Sequence, residues 1–143
     1  RVYAEVVGEQ ARHAERAARD LGEKGDVFKY GRPNKIMNDY SEEATYRSIE
    51  DSLKRLRTDR LDIVWVHDLA QDFYGDEWLG HFEAARKGAF RVLDRLRDGG
   101  VIKAWGLGVN RVEPLELTLD LSEPRPDGFL LAGRYTLLDR LGQ

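Results

Sequence analysis

A histidine and an aspartate end the most apolar stretch of the chain, and both can take part in proton chemistry. The stretch runs from Leu61 to Asp68 and reads Leu-Asp-Ile-Val-Trp-Val-His-Asp. An almost continuous apolar run of this length is typical of a parallel strand that is buried on both faces. In α/β folds the binding and catalytic residues follow the carboxyl ends of such strands. The sequence therefore predicts a functional site at this end of the strand, with His67 in it.

Two more apolar segments are predicted to be strands of the same sheet. The first is Val101–Val109, which is followed by Asn110, and the second is Gly128–Tyr135. Segments with helical patterns separate these runs, and helices that alternate with buried strands form parallel sheets with right-handed crossovers. We therefore expect an α/β fold with about three or four parallel strands and their crossover helices.

The predicted helices have recognisable starts. Ser41 is a favourable N-cap for a helix that extends to about Arg57, with two glutamates in its first turn. Spacings of three and four predict one long amphipathic helix over Phe82–Leu96, and Glu113 opens a short helix with proline at its first position. The polar and aromatic segment Leu69–Gly80 follows the end of a strand, which is the usual place of a binding loop.

The amino-terminal part of the chain has a different pattern. Apolar residues at helical spacing predict a helix over Val2–Leu21, which the Gly-containing turn 22–26 closes. The next segment, Val27–Tyr30, is a short candidate strand. We therefore divide the chain into an N-terminal helix of uncertain origin, residues 1–26, and a second unit, residues 27–143.

The composition limits the classes of function. The chain has 143 residues, of which 41% are hydrophobic, so one domain with a real core is expected. A formal net charge of -3 argues against a nucleic-acid partner, because phosphate backbones attract basic surfaces. No apolar run approaches the roughly 20 residues of a membrane span, and the first residues lack the apolar core of a signal peptide. These observations favour a cytoplasmic protein that does not associate with a membrane.

No metal site is predicted. The sequence contains no cysteine, which excludes thiolate ligands and thiol nucleophiles. His13 and His81 lack the spacing of metal ligands and are interpreted as solvated surface residues. Asp72, Asp76 and Glu77 lack the spacing of a calcium loop. Chemistry must therefore come from histidine, carboxylates, lysine, tyrosine or an organic cofactor.

Several linked motifs resemble one known family. The chain is similar to the aldo-keto reductases, and within them to the aldose and pyridoxal dehydrogenases, over about residues 39–139. Each motif is modest by itself, but together they occur in the order and spacing of that family. The motifs are Asp39–Ser41, Arg47–Leu53, Asp62–Asp68, Ile102–Asn110 and Leu131–Asp139.

The resemblance implies a fold. The family forms an eight-stranded (β/α) barrel of typically about 250 residues, so the matched segment supplies only its middle. We therefore expect a partial TIM-barrel fragment that exposes an apolar interior face and is completed by oligomerisation or is rearranged. A symmetric dimer is the first choice, and cover by the N-terminal helix is the alternative. The residues expected on the interior face include Ile63, Trp65, Ala104, Leu107 and Leu130.

The resemblance also assigns catalytic roles. In the family a tyrosine is the general acid and is supported by lysine, aspartate and histidine. His67 corresponds to that histidine, which would orient the substrate oxygen; the alternative is a strand-end histidine capped by Asp68. Lys29 corresponds to the lysine that lowers the pKa of the catalytic tyrosine, and the alternative is a surface lysine. Tyr3 matches the catalytic tyrosine poorly, because the spacing is short and no aspartate precedes it.

The cofactor would be NADP or NAD. Asn110 corresponds to the asparagine that holds the nicotinamide carboxamide, and its amide supplies the required donor and acceptor. Tyr135 corresponds to an aromatic residue near the cofactor. The sequence departs from the family at two positions, because Val109 replaces a serine and Ala132 a glutamine.

The function implied is that of a truncated oxidoreductase. We expect a protein derived from an NAD(P)-dependent enzyme that acts on aldehydes or aldoses, with a small carbonyl compound as substrate and without full catalytic competence alone. One alternative is a non-enzymatic oligomeric module for binding or structure. Another is that the sequence is the ordered part of a longer enzyme.

Overall fold

The computed structural model of the chain describes residues 37–140 and 142, and the backbone of residues 3–6. Several predictions fall outside these residues. They concern Lys29, His13, the candidate strand Val27–Tyr30 and most of the predicted helix Val2–Leu21.

The described residues form a parallel sheet with crossover helices. The strands are β1 (Tyr3–Val6), β2 (Ile63–His67), β3 (Ala104–Val109) and β4 (Gly128–Leu131). The helices are α1 (Glu42–Leu56), α2 (Gln71–Tyr74), α3 (Trp78–Lys87), α4 (Ala89–Asp98) and α5 (Glu113–Leu119), with a 3-10 helix (Gly75–Glu77) between α2 and α3. The strands lie in the order β1-β2-β3-β4 and all pairs are parallel. The predicted α/β class and parallel sheet are therefore confirmed.

The two faces of the sheet differ sharply. On the helix-covered face, Val64, Val66, Trp105 and Leu107 are completely buried. There the Trp105 ring lies 5.1 Å from the ring of Phe90 on α4. On the opposite face, here called the inner face, the pairing sets His67 beside Gly108 and Trp65 beside Gly106. The inner face comprises Ile63, Trp65, His67, Ala104, Gly106, Gly108 and Leu130.

This division corrects one expectation. Leu107 was expected on the interior face with Leu130, but it is completely buried under the helices. Side chains alternate along a strand, so Leu107 faces the side opposite to Gly106 and Gly108. The other four residues expected on the interior face do lie there.

The helix before β2 begins and ends as predicted. Ser41 caps α1, and its hydroxyl accepts a hydrogen bond from the N–H of Ala44 at 3.3 Å. Arg57 adopts a left-handed conformation, and its N–H donates to the carbonyl of Leu53, which ends the helix. These local signals lie within one turn of each terminus, which is why the sequence is sufficient to predict them.

The predicted helix over Phe82–Leu96 is wrong in one respect, because it is broken at Gly88 into α3 and α4. The N–H of Ala89 donates to the carbonyl of Tyr40 at 2.9 Å. A Cβ at Gly88 would lie 2.3 Å from that same carbonyl oxygen. Glycine is therefore required where the two segments meet, and the contact partner is nearly fifty residues away in the sequence.

The prediction of an N-terminal helix is also wrong where it can be compared with the structure. Tyr3–Val6 is the strand β1, which pairs in parallel with β2, with Tyr3 opposite Ile63 and Val6 opposite Val66. Valine and tyrosine favour strands, and β2 offers a free row of hydrogen-bonding groups on that side. Tertiary pairing therefore overrides the helical spacing of these residues.

Two further segments differ from expectation. Residues 69–80, predicted to be a loop, contain α2, the 3-10 helix and the first turn of α3. The third predicted strand, Gly128–Tyr135, ends early at Leu131, and Gly133 adopts a positive φ of 73° in the bend that follows. Among the helices of residues 37–140, none is long and apolar enough to cross a membrane.

Candidate functional site

The predicted site residue His67 lies at the carboxyl end of β2, on the inner face. Its side chain is partly exposed, and its Nδ1 lies 3.1 Å from Oδ2 of Asp68. A Cβ placed on Gly108 would be only 3.2 Å from His67 Cδ2, so the ring lies against the bare backbone of β3. The imidazole is thus held from two sides at the edge where the sequence predicted a site.

Asp68 has an unusual backbone conformation. Its φ is 55°, in the left-handed region that residues other than glycine seldom adopt. Hydrogen bonds fix this conformation on both sides: the Asp68 N–H donates to the carbonyl of Gly108 at 2.9 Å, and the Asp68 carbonyl accepts from the N–H of Ala70 at 2.9 Å. The turn brings the carboxylate back toward the imidazole of the preceding residue.

Tyr40 binds the main chain of His67. Its hydroxyl donates to the main-chain carbonyl of His67 at 3.1 Å and lies 2.7 Å from the hydroxyl of Tyr74. The single proton of Tyr40 is directed to the carbonyl, so Tyr74 must be the donor of the second bond. Burial is the main cause that raises the pKa of Tyr40 above its ordinary value, and the negative charge of Asp68 raises it further.

Tyr74, the last residue of α2, contacts both Tyr40 and His81. Its ring is stacked on that of His81, with 4.0 Å between the centroids and 25° between the planes. Burial is the main cause that raises the pKa of Tyr74. The interpretation of His81 as a solvated surface residue is therefore wrong, because this histidine is partly buried against two tyrosines. The sequence analysis missed Tyr40 and Tyr74; the motif Asp39–Ser41 was the signal for the first.

Asn110 follows β3 at the same edge of the sheet. Its Nδ2 donates to Oδ2 of Asp72 on α2 at 3.1 Å, and its main-chain carbonyl accepts from Nε of Arg134 at 3.1 Å. Arg134 in turn binds Asp139 at 3.0 Å. Polar contacts therefore connect the segments that follow β2, β3 and β4.

These residues suit part of a nicotinamide site. The exposed Asn110 amide can both donate to and accept from a carboxamide, although Asp72 already takes one of its protons. Tyr135 follows Arg134, and its ring is largely exposed and accessible to an aromatic ligand. Within residues 37–140 no three histidine or carboxylate side chains are arranged to hold a metal ion.

The structure brings together some of the predicted residues. His67 and Asn110 lie at the ends of adjacent strands, and the segment with Tyr135 contacts Asn110 through Arg134. Lys29 lies outside the described residues. The backbone of Tyr3 pairs with Ile63, at the beginning of β2, about 13 Å along the strand from His67.

Comparisons with known proteins point to one family. The model of the aldo/keto reductase family matches residues 5–142. Pyridoxal 4-dehydrogenase of Microbacterium luteolum is 41% identical over 106 residues, which are 73% of this chain and 30% of that protein. D-threo-aldose 1-dehydrogenase of a Pseudomonas species is 33% identical over 71% of this chain and 28% of its own length. A solved aldo-keto reductase structure from Pseudomonas aeruginosa is 28% identical, with a TM-score of 0.49, over 78% of this chain and 33% of that one.

The chain therefore belongs to the aldo-keto reductase family. It spans about 30% of the length of the curated relatives it matches. Its parallel strands and crossover helices agree with the α/β fold that the resemblance implies. The family match begins at residue 5, well before the first motif that carries the resemblance in the sequence.

Proposed function

We propose that this chain forms part of the active site of an NAD(P)-dependent oxidoreductase that acts on aldehydes or aldoses. In this proposal His67 orients the substrate oxygen, and Asn110 holds the carboxamide of the nicotinamide. The curated relatives, a pyridoxal 4-dehydrogenase and an aldose 1-dehydrogenase, support this class of substrate. We expect the chain to lack full catalytic competence by itself, because no described residue corresponds to the family's general acid.

One observation carries this proposal. His67 and Asn110 end adjacent parallel strands, with the imidazole on the inner face against Gly108. A substrate oxygen near the imidazole and a carboxamide at Asn110 would therefore be neighbours at one edge of the sheet. Tyr135 supports the cofactor role, because an exposed ring that follows β4 can stack on a planar ligand.

A cofactor titration tests the proposal. NADPH and NADH are each added to the purified chain, and the fluorescence of the reduced nicotinamide is followed. We expect saturable binding that the variant Asn110→Ala weakens roughly 3- to 10-fold, since the variant loses about one hydrogen bond. The matched control is Asp76→Ala, on the 3-10 helix, which should bind as the original chain does. If neither nucleotide gives a saturable change, the proposal is wrong and a non-enzymatic module is favoured.

We also propose that the chain binds a second copy of itself. Leu137 and Leu138 are 92% and 99% exposed, on a turn after β4. Hydrogen bonds and an ion pair connect the residues of this turn, because Thr136 and Asp139 bind each other and Arg134 binds Asp139. Burial of a leucine stabilises an interface by about 1.5–3 kcal/mol. A hydrogen-bonded turn with two exposed leucines therefore suits an interface better than solvent.

The sequence of β4 also favours self-association. The strand reads Gly-Phe-Leu-Leu, without the charged residues or prolines that usually protect an outer strand from pairing. By contrast, β1 contains Glu5. A two-fold axis beside β4 would place two copies of this strand side by side in antiparallel orientation. The strand would then pair with its own copy, so the dimer would need no second complementary surface.

Light scattering over a concentration series tests self-association. We expect a dimer or larger assembly for the original chain. The double variant Leu137→Asp/Leu138→Asp should approach the monomer mass of 16.4 kDa. The control variant Leu119→Asp changes an exposed leucine of α5 and should leave the assembly intact. A folded monomer at all concentrations would contradict this proposal.

A further inference from the structure

Arg111 differs from the other partly buried arginines of residues 37–140. Each of the others binds a carboxylate, and the pairs are Arg86 with Glu83, Arg97 with Asp127 and Arg134 with Asp139. Arg111 forms no ion pair with a carboxylate of these residues, and its Nε is enclosed without a hydrogen-bond partner. An enclosed donor that lacks a partner is rare in folded proteins and requires an explanation, such as a bound ion.

The missing partner of Arg111 should be an anion. Glu113 is the nearest carboxylate along the chain, but it is exposed at the start of α5 and the structure shows no ion pair between the two residues. A water molecule would accept a hydrogen bond from Nε but would leave the positive charge without a counterion. Phosphate and carboxylate groups supply both an acceptor and a negative charge, and they match the planar donor fork of a guanidinium.

The position of Arg111 in the fold indicates where the anion would bind. Arg111 follows Asn110 at the carboxyl edge of the sheet, where the amide of Asn110 binds Asp72. The carboxylates at this edge are occupied elsewhere, because Asp72 accepts from Asn110 and Asp68 lies beside His67. Arg111 therefore supplies this edge with a positive charge that no carboxylate of the described residues neutralises.

We propose that Arg111 binds the phosphate or carboxylate group of a ligand at the carboxyl edge of the sheet. The group is held by charge and by the N–H donors of the guanidinium, including the enclosed Nε. The anion site itself does not depend on the proposed function. Its assignment to the dinucleotide or to an anionic substrate does rest on that function.

Urea denaturation with and without inorganic phosphate tests the anion site. An anion that binds only the folded chain raises its stability, but phosphate also stabilises proteins in general. The gain in the original chain is therefore compared with the gain in Arg111→Met, at equal ionic strength. We expect a clearly larger rise of the denaturation midpoint in the original chain. In phosphate-free buffer Arg111→Met should be at least as stable, because it removes a charged donor without a partner.

A phosphate titration followed by NMR measures the affinity at this residue. The backbone N–H of residue 111 is the probe, because every variant retains it. We expect a saturable shift in the original chain and none in Arg111→Gln. Arg111→Lys keeps the charge but loses the planar fork, so its dissociation constant should be roughly 3- to 10-fold higher. The control Arg91→Gln changes an exposed arginine of α4 and should titrate as the original chain does.

Three results would overturn the proposal. One is an equal gain in stability from phosphate in the original chain and in Arg111→Met. Another is a marked loss of stability of Arg111→Met in phosphate-free buffer, which would show that Arg111 already has a partner in the protein. The third is a titration of Arg111→Gln that matches that of the original chain.

Two organic ligands distinguish the sources of the anion. If the group belongs to a substrate, glucose 6-phosphate should shift the signal of residue 111, glucose should not, and Arg111→Gln should bind NADPH normally. If it belongs to the dinucleotide, Arg111→Gln should weaken NADPH binding several-fold. A response to inorganic phosphate alone would mean an adventitious ion only and would overturn the ligand site. If NADPH does not bind at all, the proposed function fails, but the phosphate titration still decides the anion site.

Discussion

The helix-covered face and the inner face of the sheet are built from the same strands, yet they contain different kinds of residue. The helix-covered face has large apolar side chains such as Trp105 and Leu107, which are completely buried. The inner face has Gly106 and Gly108 on β3, and the rings of Trp65 and His67 lie against them. The first face supplies hydrophobic stabilisation, and the second supplies space for aromatic and titratable rings.

The difference shows how one strand can serve both packing and chemistry. Because side chains alternate, β3 can place a leucine under the helices and a glycine against the ring of His67 in consecutive positions. A substitution on one face should therefore change stability, and a substitution on the other should change the site. The following variants test this division, beginning with the largest expected effect.

Leu107→Ala should be the most destabilising of these variants. The side chain is 0% exposed, so its removal leaves a cavity and lowers the free energy of unfolding by about 2–5 kcal/mol. Leu130→Ala, on the inner face of the neighbouring strand, is the matched control. That side chain is 54% exposed, and its loss should cost less than about 1 kcal/mol. Urea denaturation of both variants checks the comparison, and equal losses would contradict it.

Gly106→Ala should destabilise the chain by adding atoms rather than removing them. A Cβ there would lie 2.0 Å from the carbonyl oxygen of Gly128 and 2.7 Å from Cζ3 of Trp65. Since the backbone must move, we expect the free energy of unfolding to fall by about 1–3 kcal/mol. Gly80→Ala is the control: nothing lies within 4 Å of its new Cβ, and alanine in a helix is more stable than glycine by about 0.5–1 kcal/mol. The melting temperature should therefore fall for Gly106→Ala and rise for Gly80→Ala.

Tyr40→Phe tests the connection between the helices and the inner face. The variant leaves the His67 carbonyl and the Tyr74 hydroxyl without their partner, so we expect a loss of about 1–2 kcal/mol at neutral pH. Tyr46→Phe, an exposed tyrosine of α1, should have little effect. Urea denaturation at neutral pH gives both values.

The same hydroxyl should make stability depend on alkaline pH. The folded-state pKa of Tyr40 is raised, so its contribution is fully present below the ordinary value of 10.0 and is lost as the pH rises toward the folded pKa. Tyr40→Phe should therefore lose less stability than the original chain above about pH 10. A parallel decline in both proteins would show that Tyr40 does not titrate in this way.

The smallest effect is expected at the solvent side of α3. Arg86 and Lys87 lower the pKa of Glu83 to about 2, mainly through hydrogen bonds. The stabilisation is present above the ordinary pKa of 4.5 and is lost as the pH falls toward about 2. Carboxyl NMR should therefore show Glu83 ionised at pH 3, and Arg86→Gln should raise its pKa. Because the group is exposed, neither change should measurably affect denaturation.

The elements that could be predicted from the sequence have signals close by in the chain. The cap at Ser41 predicted the start of α1, and the apolar run before His67 predicted β2. The position of Asn110 at the same edge followed from the rule that parallel strands end together. In each case the necessary information lies within a few residues, or in the general geometry of the sheet.

Other features depended on contacts between distant residues. The break at Gly88 exists because the Tyr40 carbonyl approaches it, and no local pattern indicates that contact. The hydrogen bond between Asp72 and Asn110 likewise joins residues far apart in the chain. Helical spacing was misleading at Tyr3–Val6, where pairing with β2 formed a strand.

The sequence by itself determined the fold class, the family and the strand that delivers His67, because periodicity and motif order are properties of the chain alone. Only the tertiary structure decided how that histidine is held. Three separate segments hold this histidine. Asp68 lies beside its Nδ1, the backbone of Gly108 lies against its ring, and the hydroxyl of Tyr40 binds its main-chain carbonyl. Their effect depends on distances of about 3 Å, which the packing of the whole domain sets and no single segment encodes.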